Sequence, residues 1–318
     1  MPKHGIRMAC YAKGKQMTPH KALLVPVKRI TLHNGRFVWP QNVVLASPSS
    51  ADLLPLGQLQ SHLKRQIGVR ARIERNAYGS YTLRVRRDSA IKHAQGYRIA
   101  ISPVDITVFA GSDAGAYYGL QTLCELVRVH GRSLPTCEIV DEPDFRRRAV
   151  YLDCSRGKVP TVTTVKSLVE QLSRWKLNEL QLYVENVFTF NQHPSIGKGF
   201  SPFSPQDLLE IQDHCRLHHV QFVPSLASFG HLERVLALPA YQHLGELGGH
   251  YGLPGGTTLC PGDSGSIKLM SEFFDEYLPL FETVEFNACC DETWELGKGR
   301  SKRRADRIGT GRVYLDFI

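Results

Sequence analysis

The pattern of apolar and polar positions along the chain changes near residue 140. Between about residues 21 and 110, short β-like runs alternate with turn residues: Phe37–Trp39, Val43–Leu45, Tyr81–Val85, Tyr97–Ile101 and Ile106–Phe109. Helical spacing intervenes over Ala51–Gln66 and again over Asp113–His130. Strands with two helices predict a small α+β domain over residues 21–140. Leu134-Pro135 and the turn-prone Asp141-Glu-Pro-Asp144 read as the connection out of it. Residues 1–20 are polar and irregular, and read as a disordered lead-in.

From 141 to 318 the rhythm becomes strand, helix, strand, helix. Ala149–Asp153 reads as a strand, followed by Val165, Leu168, Val169, Leu172 and Trp175 at helical spacing. Leu180–Val184 reads as a second strand. Ser204-Pro205 then opens a helix as cap and first-turn proline, with Asp207 three residues after the cap and Leu208, Ile211 and Cys215 as its stripe. Val220–Val223 reads as the third strand, Ile267, Met270, Phe274 and Tyr277 as the stripe of the next helix, and Val284–Cys289 as the fourth strand, with a basic helix from about 301 onward. Four successive βα units imply an α/β architecture with a parallel sheet and right-handed crossovers.

In such sheets chemistry gathers at the carboxyl ends of the strands. The four predicted ends deliver Asp153 and Arg156, Glu185 and Asn186, Ser228 and His231, and Asp291 and Glu292. Each alone has an ordinary explanation, since an acid can cap a turn and a histidine after Gly230 can be a loop residue. Their convergence from separate strand ends points to a site. Asp141-Glu142 and Asp275-Glu276 show that an acidic dipeptide by itself carries no meaning. The third pair ends an apolar run, Val284–Cys290, and precedes a loop with Gly297 and Gly299. Two carboxylates at the end of a buried strand are expected to be desolvated and mutually repelling, which raises the pKa of one and supplies a general acid.

Composition narrows the alternatives. The chain has 318 residues, 42% of them hydrophobic, enough for more than one core. No apolar run approaches the ~20 residues a membrane helix needs, and the amino terminus lacks the ~7–15-residue apolar segment of a signal peptide; no membrane partner and a cytoplasmic location are expected. The eight cysteines, at 10, 124, 137, 154, 215, 260, 289 and 290, show no Cys-x-x-Cys spacing and read as buried reduced thiols. The net charge of +9 raises a nucleic-acid reading, with basic runs at Arg146–Arg148 and Lys298–Arg304 and further cations among 64–98. These runs are short and separated, that at 298–304 is interrupted by Gly299 and Ser301, and they fit a solvated surface better than a polyanion-binding face.

From about residue 117 onward the chain resembles the family 20 glycoside hydrolases, the β-N-acetylhexosaminidases. Tyr118-Gly-Leu-Gln-Thr122 is similar to the helix that ends the family's small amino-terminal domain. Pro143-Asp-Phe-Arg and Leu152-Asp-Cys-Ser-Arg156 are similar to the entry into its barrel, Trp175–Tyr183 to its second strand, Phe229-Gly-His231 to its third-strand histidine and Phe286–Glu292 to its catalytic acids. The resemblance implies an exo-acting hydrolase that removes terminal non-reducing β-linked N-acetylglucosamine or N-acetylgalactosamine from glycans, without metal or organic cofactor. It implies Glu292 as general acid and later base, and Asp291 as the acceptor that orients the substrate's 2-acetamido group. It further implies Arg156, with Asp153 beside it, as the grip on the terminal sugar, and His231 with Glu185 as the pair that tunes the acid. Cys289 departs from the family, where a glycine is usual before the acids.

A full barrel of eight strands takes about 250 residues, and Arg148–Ile318 holds four units. The expected architecture is therefore a partial TIM barrel, the amino-terminal half of a catalytic domain over 141–318, preceded by the α+β domain. Two other readings stand beside hydrolysis: a catalytically inactive remnant that at most binds sugar, and a basic polyanion binder. A half-barrel also leaves an open edge beside the fourth strand and strips the opposite wall from side chains taken to face the barrel, Val150, Leu182 and Phe222. Poor solubility, or a homo-oligomer formed through that edge, and loss of activity in the 318-residue chain are the expected consequences.

Overall fold

The computed structural model describes residues 23–75, 82–248 and 253–318, and the chain divides into two compact units at Asp144/Phe145. The proposed lead-in at 1–20, Cys10 and Tyr81 lie outside the described residues.

The amino-terminal unit is a seven-stranded mixed sheet with two helices. Its elements are β1 (Arg29–Val38), β2 (Asn42–Ala46), α1 (Leu53–Ile67), β3 (Arg70–Glu74), β4 (Leu83–Arg87), β5 (Tyr97–Ile101), β6 (Ile106–Ala110), α2 (Asp113–His130) and β7 (Ser133–Asp141). The strand order is β1-β7-β5-β6-β4-β2-β3. Leu56, Leu59 and Leu63 of α1 and the apolar side chains of α2 from Ala116 to Val127 are buried in one core with Leu45, Val85, Ile99, Val108 and Ile139. The Tyr118–Thr122 motif has a packing reason. A Cβ at Gly119 would stand 2.8 Å from Val108 Cγ1, so glycine lets α2 press onto β6, while Thr122 Oγ1 lies 2.6 Å from the buried Tyr97 hydroxyl. That hydroxyl also donates to Asp141 at 2.6 Å, which gives the first acidic dipeptide a structural role.

Leu134-Pro135 and Asp141, expected to belong to the connection, lie in β7, an inner strand pairing antiparallel with both β1 and β5. Pro135 hid it. The proline is tolerated because it pairs beside the irregularity between Leu32 and Arg36 of β1, where the ladder is already interrupted. The edge strand β3 was also not anticipated; its charged residues mask the alternation.

The carboxyl-terminal unit contains β8 (Ala149–Asp153), α3 (Val162–Arg174), β9 (Glu179–Val184), α4 (Pro205–Leu217), β10 (Gln221–Leu226), α5 (Glu233–Leu236), α6 (Ser264–Tyr277), α7 (Lys302–Ile308) and α8 (Thr310–Leu315). The three strands run parallel in the order β8-β9-β10. α3 and α4 are the crossovers. α4 starts as expected: Ser204 Oγ accepts from the Asp207 N–H and the Asp207 carboxylate accepts from the Ser204 N–H, a closed capping box ahead of Pro205.

Three expectations change. The fourth strand is reduced to one parallel bridge, Ser225 to Asn287, in which the Asn287 N–H donates to Pro224 O at 3.0 Å and Asn287 O accepts from the Leu226 N–H at 3.1 Å. Side chains compete for the backbone on either side. Thr283 Oγ1 takes the Glu285 N–H, Asn287 Oδ1 takes the Cys289 N–H, and Cys289 sits at φ +46°, outside any strand. Val284 is fully exposed. Second, Val150, Leu182 and Phe222 face α3 and α4, in one core with Val165, Val169, Leu172, Leu208 and Ile211, so it is not the barrel side that they line. The opposite face carries Tyr151, Asp153, Tyr183 and Ser225, by the two-residue alternation of strands. Third, α6 buries Leu269, Met270, Phe273 and Tyr277, while Ile267 is exposed. The basic carboxyl-terminal helix is likewise two helices, broken at Gly309 with φ +87°.

Candidate active site

The carboxyl ends of β8 and β9, the loop after β10 and the segment after the Asn287 bridge bring the predicted residues together. Asp153, the last residue of β8, accepts from the Ser155 and Arg156 N–H groups at 2.8 and 3.1 Å and pairs with the Arg156 guanidinium at 2.7 Å. Arg156 then reaches across to Glu185 Oε1 at 2.9 Å and to His231 Nδ1 at 3.2 Å. His231 Nε2 lies 3.2 Å from Glu292 Oε2 and 3.6 Å from Asp291 Oδ2. All six predicted residues thus belong to one chain of charges. Their order differs from expectation in one respect. Arg156 sits between Glu185 and His231, so these two communicate through the guanidinium.

That guanidinium fixes a tautomer. Arginine only donates, so Nδ1 of His231 must accept from Arg156. The proton of the neutral ring is then on Nε2, directed at Glu292 and Asp291.

Backbone conformation explains how neighbouring carboxylates reach one imidazole. In an extended chain Asp291 and Glu292 would point to opposite sides. Glu292 instead has φ +49°, as His231 has φ +56° and Cys289 φ +46°. Three non-glycine residues in this sparsely populated region, all within the site, are what a function-bearing constellation held by its surroundings looks like. Gly230 supplies the fit between the two loops: a Cβ there would stand 2.4 Å from the Asp291 carbonyl oxygen, so Phe229-Gly-His231 can lie directly on the acid pair. Behind it, Phe229 stacks on Phe317 at 4.1 Å between ring centroids, and the Tyr314 hydroxyl donates to Cys290 O at 3.0 Å.

The electrostatics also depart from expectation at the acid pair. The side chains of Asp291 and Glu292 are 66% and 54% exposed, so the desolvation expected of them is not present. Desolvation acts instead on Glu185. Its burial, reinforced by the charge of Glu233, raises its pKa against the pull of Arg156, Tyr183 and His231. Burial opposes the charge of Arg156 too, but the Asp153 hydrogen bond and the Glu185 charge outweigh it and raise its pKa. Asn186, delivered by the same strand, is buried with neither amide atom hydrogen bonded. Ser228, on the third strand end, turns its hydroxyl back to Leu226 O and takes no part.

Sequence reasoning missed two tyrosines. Tyr151 and Tyr183 occupy the same face as Asp153, with their rings 5.8 Å apart, and the Arg156 guanidinium lies 5.2 Å from the Tyr183 ring. Their alternation with Asp153 along the strands was the available signal. Trp294, two residues beyond Glu292, is exposed. Beneath Tyr151, Cys289 Sγ lies 3.1 Å from Ser225 Oγ and 3.5 Å from the Tyr151 hydroxyl. Burial raises the pKa of the Cys289 thiol, which makes it a packing group rather than a nucleophile. None of the seven described cysteines forms a disulfide, and six of them are buried. Among the described residues, the one His and carboxylate group close enough to share an ion, Glu170, His214 and His218, lies on α3 and α4. No helix of the described residues is long and apolar enough to cross a membrane.

Residues 24–142 match the model of glycosyl hydrolase family 20, domain 2. Over those residues the chain is similar to glycoside hydrolase family 20. It is 28% identical to hexosaminidase D of Homo sapiens over 178 residues, 55% of this chain and 35% of that protein. It is 27% identical to the Bos taurus hexosaminidase D over 158 residues, 49% of this chain and 44% of that protein. Among solved structures, the Flavobacterium johnsoniae chitobiase superposes with a TM-score of 0.79 at 22% identity, over 94% of this chain and 50% of that one. The Streptomyces plicatus N-acetyl-β-hexosaminidase does so with a TM-score of 0.74 at 17% identity, over 96% and 66%. These likenesses show a shared fold. The chain spans 35% and 44% of the length of the two curated hexosaminidases.

Proposed function

We propose that this site removes terminal non-reducing β-linked N-acetylhexosamine from glycans by substrate-assisted hydrolysis with retention. The observation that carries the reading is the linkage of Arg156, His231, Asp291 and Glu292 at one end of the sheet. A retaining glycosidase of the usual kind holds an acid and a nucleophile about 5 Å apart on opposite sides of the scissile bond. Here two sequence neighbours approach one imidazole, an arrangement suited to an acid and an orienting group rather than to an acid and a nucleophile.

Glu292 protonates the leaving oxygen and afterwards takes a proton from water. Asp291 accepts from the 2-acetamido N–H and turns its carbonyl oxygen toward the anomeric carbon, so that substrate supplies the nucleophile. His231, with Nε2–H directed at both carboxylates, holds them in place; Arg156 and Asp153 bind hydroxyls of the terminal sugar, and Glu185 holds Arg156. The exposed Trp294 offers a stacking surface to the sugar on the leaving side. A sugar-binding protein without turnover is the second reading, favoured by the exposure of both carboxylates.

The test uses variants of the full-length protein on aryl N-acetylglucosaminides. Glu292→Gln should lower kcat/KM about 10²–10⁴-fold for poor leaving groups and much less for good ones, the signature of a lost general acid. Asp291→Asn should lower it for all 2-acetamido substrates alike, because it removes the alignment of the internal nucleophile. Equal effects of Glu292→Gln across leaving groups would remove Glu292 from the acid role.

A further inference from the structure

Away from the strand ends, the last turns of α3 and α4 bring together a group with no part in the proposed hydrolysis. Glu170 lies on α3; His214 lies on α4, and His218, which caps that helix, is one turn further on and faces the same side. One donor atom from each of the three lies within 4.8 Å of the others. His214 Nε2 is 3.7 Å from Glu170 Oε1, and the two imidazoles stand 4.5 Å apart. His218 is buried and Glu170 about half exposed.

The state of His214 is specific. Its Nε2 is buried, makes no hydrogen bond and is turned toward the Glu170 carboxylate. A buried imidazole nitrogen without a hydrogen-bond partner, held toward a carboxylate and a second imidazole, stands as a metal ligand does.

We propose that Glu170, His214 and His218 bind a divalent transition-metal ion that pins α3 to α4. Two imidazoles and one carboxylate suit zinc, whereas magnesium and calcium take oxygen donors. Zinc bonds of about 2.0–2.2 Å place tetrahedral donors roughly 3.3 Å apart. Closing the group to that spacing takes about an ångström of side-chain rotation, which half-exposed Glu170 can supply. Three protein ligands leave one position for water. Of the nearby cations, Lys166 is paired with Glu210, while Arg174 and His219 stand beside His218. α3 hands over to β9 at Glu179 and α4 to β10 at Gln221, so the group lies at the end of the sheet where strands begin, opposite Asp153, Glu185 and His231. The ion's role there is structural.

The experiment strips the full-length protein with EDTA and titrates it with CoCl2, then with ZnCl2. The expected result is one cobalt per chain with the intense visible absorption of a tetrahedral site, displaced by zinc. The Tm should rise by about 5–10 °C at zinc a hundredfold above its Kd. Glu170→Gln and His214→Gln should each keep the metal-free Tm within about 2 °C, weaken uptake at least tenfold and abolish the rise. Absence of stoichiometric uptake overturns the proposal. So does persistence of uptake and of the Tm rise in either variant, which would place the ion elsewhere among the chain's 13 histidines.

Discussion

Asp153 illustrates how one side chain can serve both the fold and the site. It caps the turn after β8 through two backbone N–H groups and fixes Arg156 through its second oxygen. Partial burial works against its charge, but the Ser155 N–H and the Arg156 contacts hold its pKa below the ordinary carboxylate value. A carboxylate depressed in the folded state stabilises the protein above its unfolded pKa of about 4, and that stabilisation is lost as pH falls through the folded value. Asp153→Asn keeps an acceptor for the N–H groups and loses the ion pair. It should cost on the order of 1 kcal/mol at pH 7, discounted because Asp153 is a third exposed. The gap from wild type should narrow toward zero below about pH 3. Urea titrations of both proteins at pH 7 and pH 3 check this; a gap of the same size at both would show that the pairing contributes nothing.

At the scale of elements, local rules were legible and tertiary ones were not. The limits of α2 and β8 follow from the pattern alone, as does the Ser204 cap, because propensity and capping are written in adjacent residues. β7 was hidden by a proline whose tolerance depends on an irregularity in another strand. The run 284–290 looked like a strand, yet its Thr and Asn side chains take the backbone bonds a ladder would need. The facing of β9 and β10 was illegible because both are buried almost continuously, so alternation names two faces without saying which meets the helices. The cap itself is testable. Ser204→Ala opens the capping box and should cost about 1 kcal/mol, read as a lower urea midpoint at unchanged m-value; an unchanged midpoint would show that Pro205 alone sets the start of α4.

At the scale of the whole molecule, all six predicted site residues converge, but the sequence did not reveal their wiring. Strand ends could be counted along the chain. That Arg156 would separate Glu185 from His231, and that left-handed turns at His231 and Glu292 would aim both acids at one imidazole, depends on loop geometry that no periodicity encodes. The substrate-assisted reading rests on that wiring. Its most direct test compares an aryl 2-acetamido-2-deoxy-β-glucoside with the matching β-glucoside on the full-length protein, following the anomer first released by NMR. The expected result is turnover of the acetamido substrate with the β-anomer appearing first, and no turnover of the glucoside. Comparable turnover of both, or binding of the acetamido sugar with turnover of neither, would contradict it.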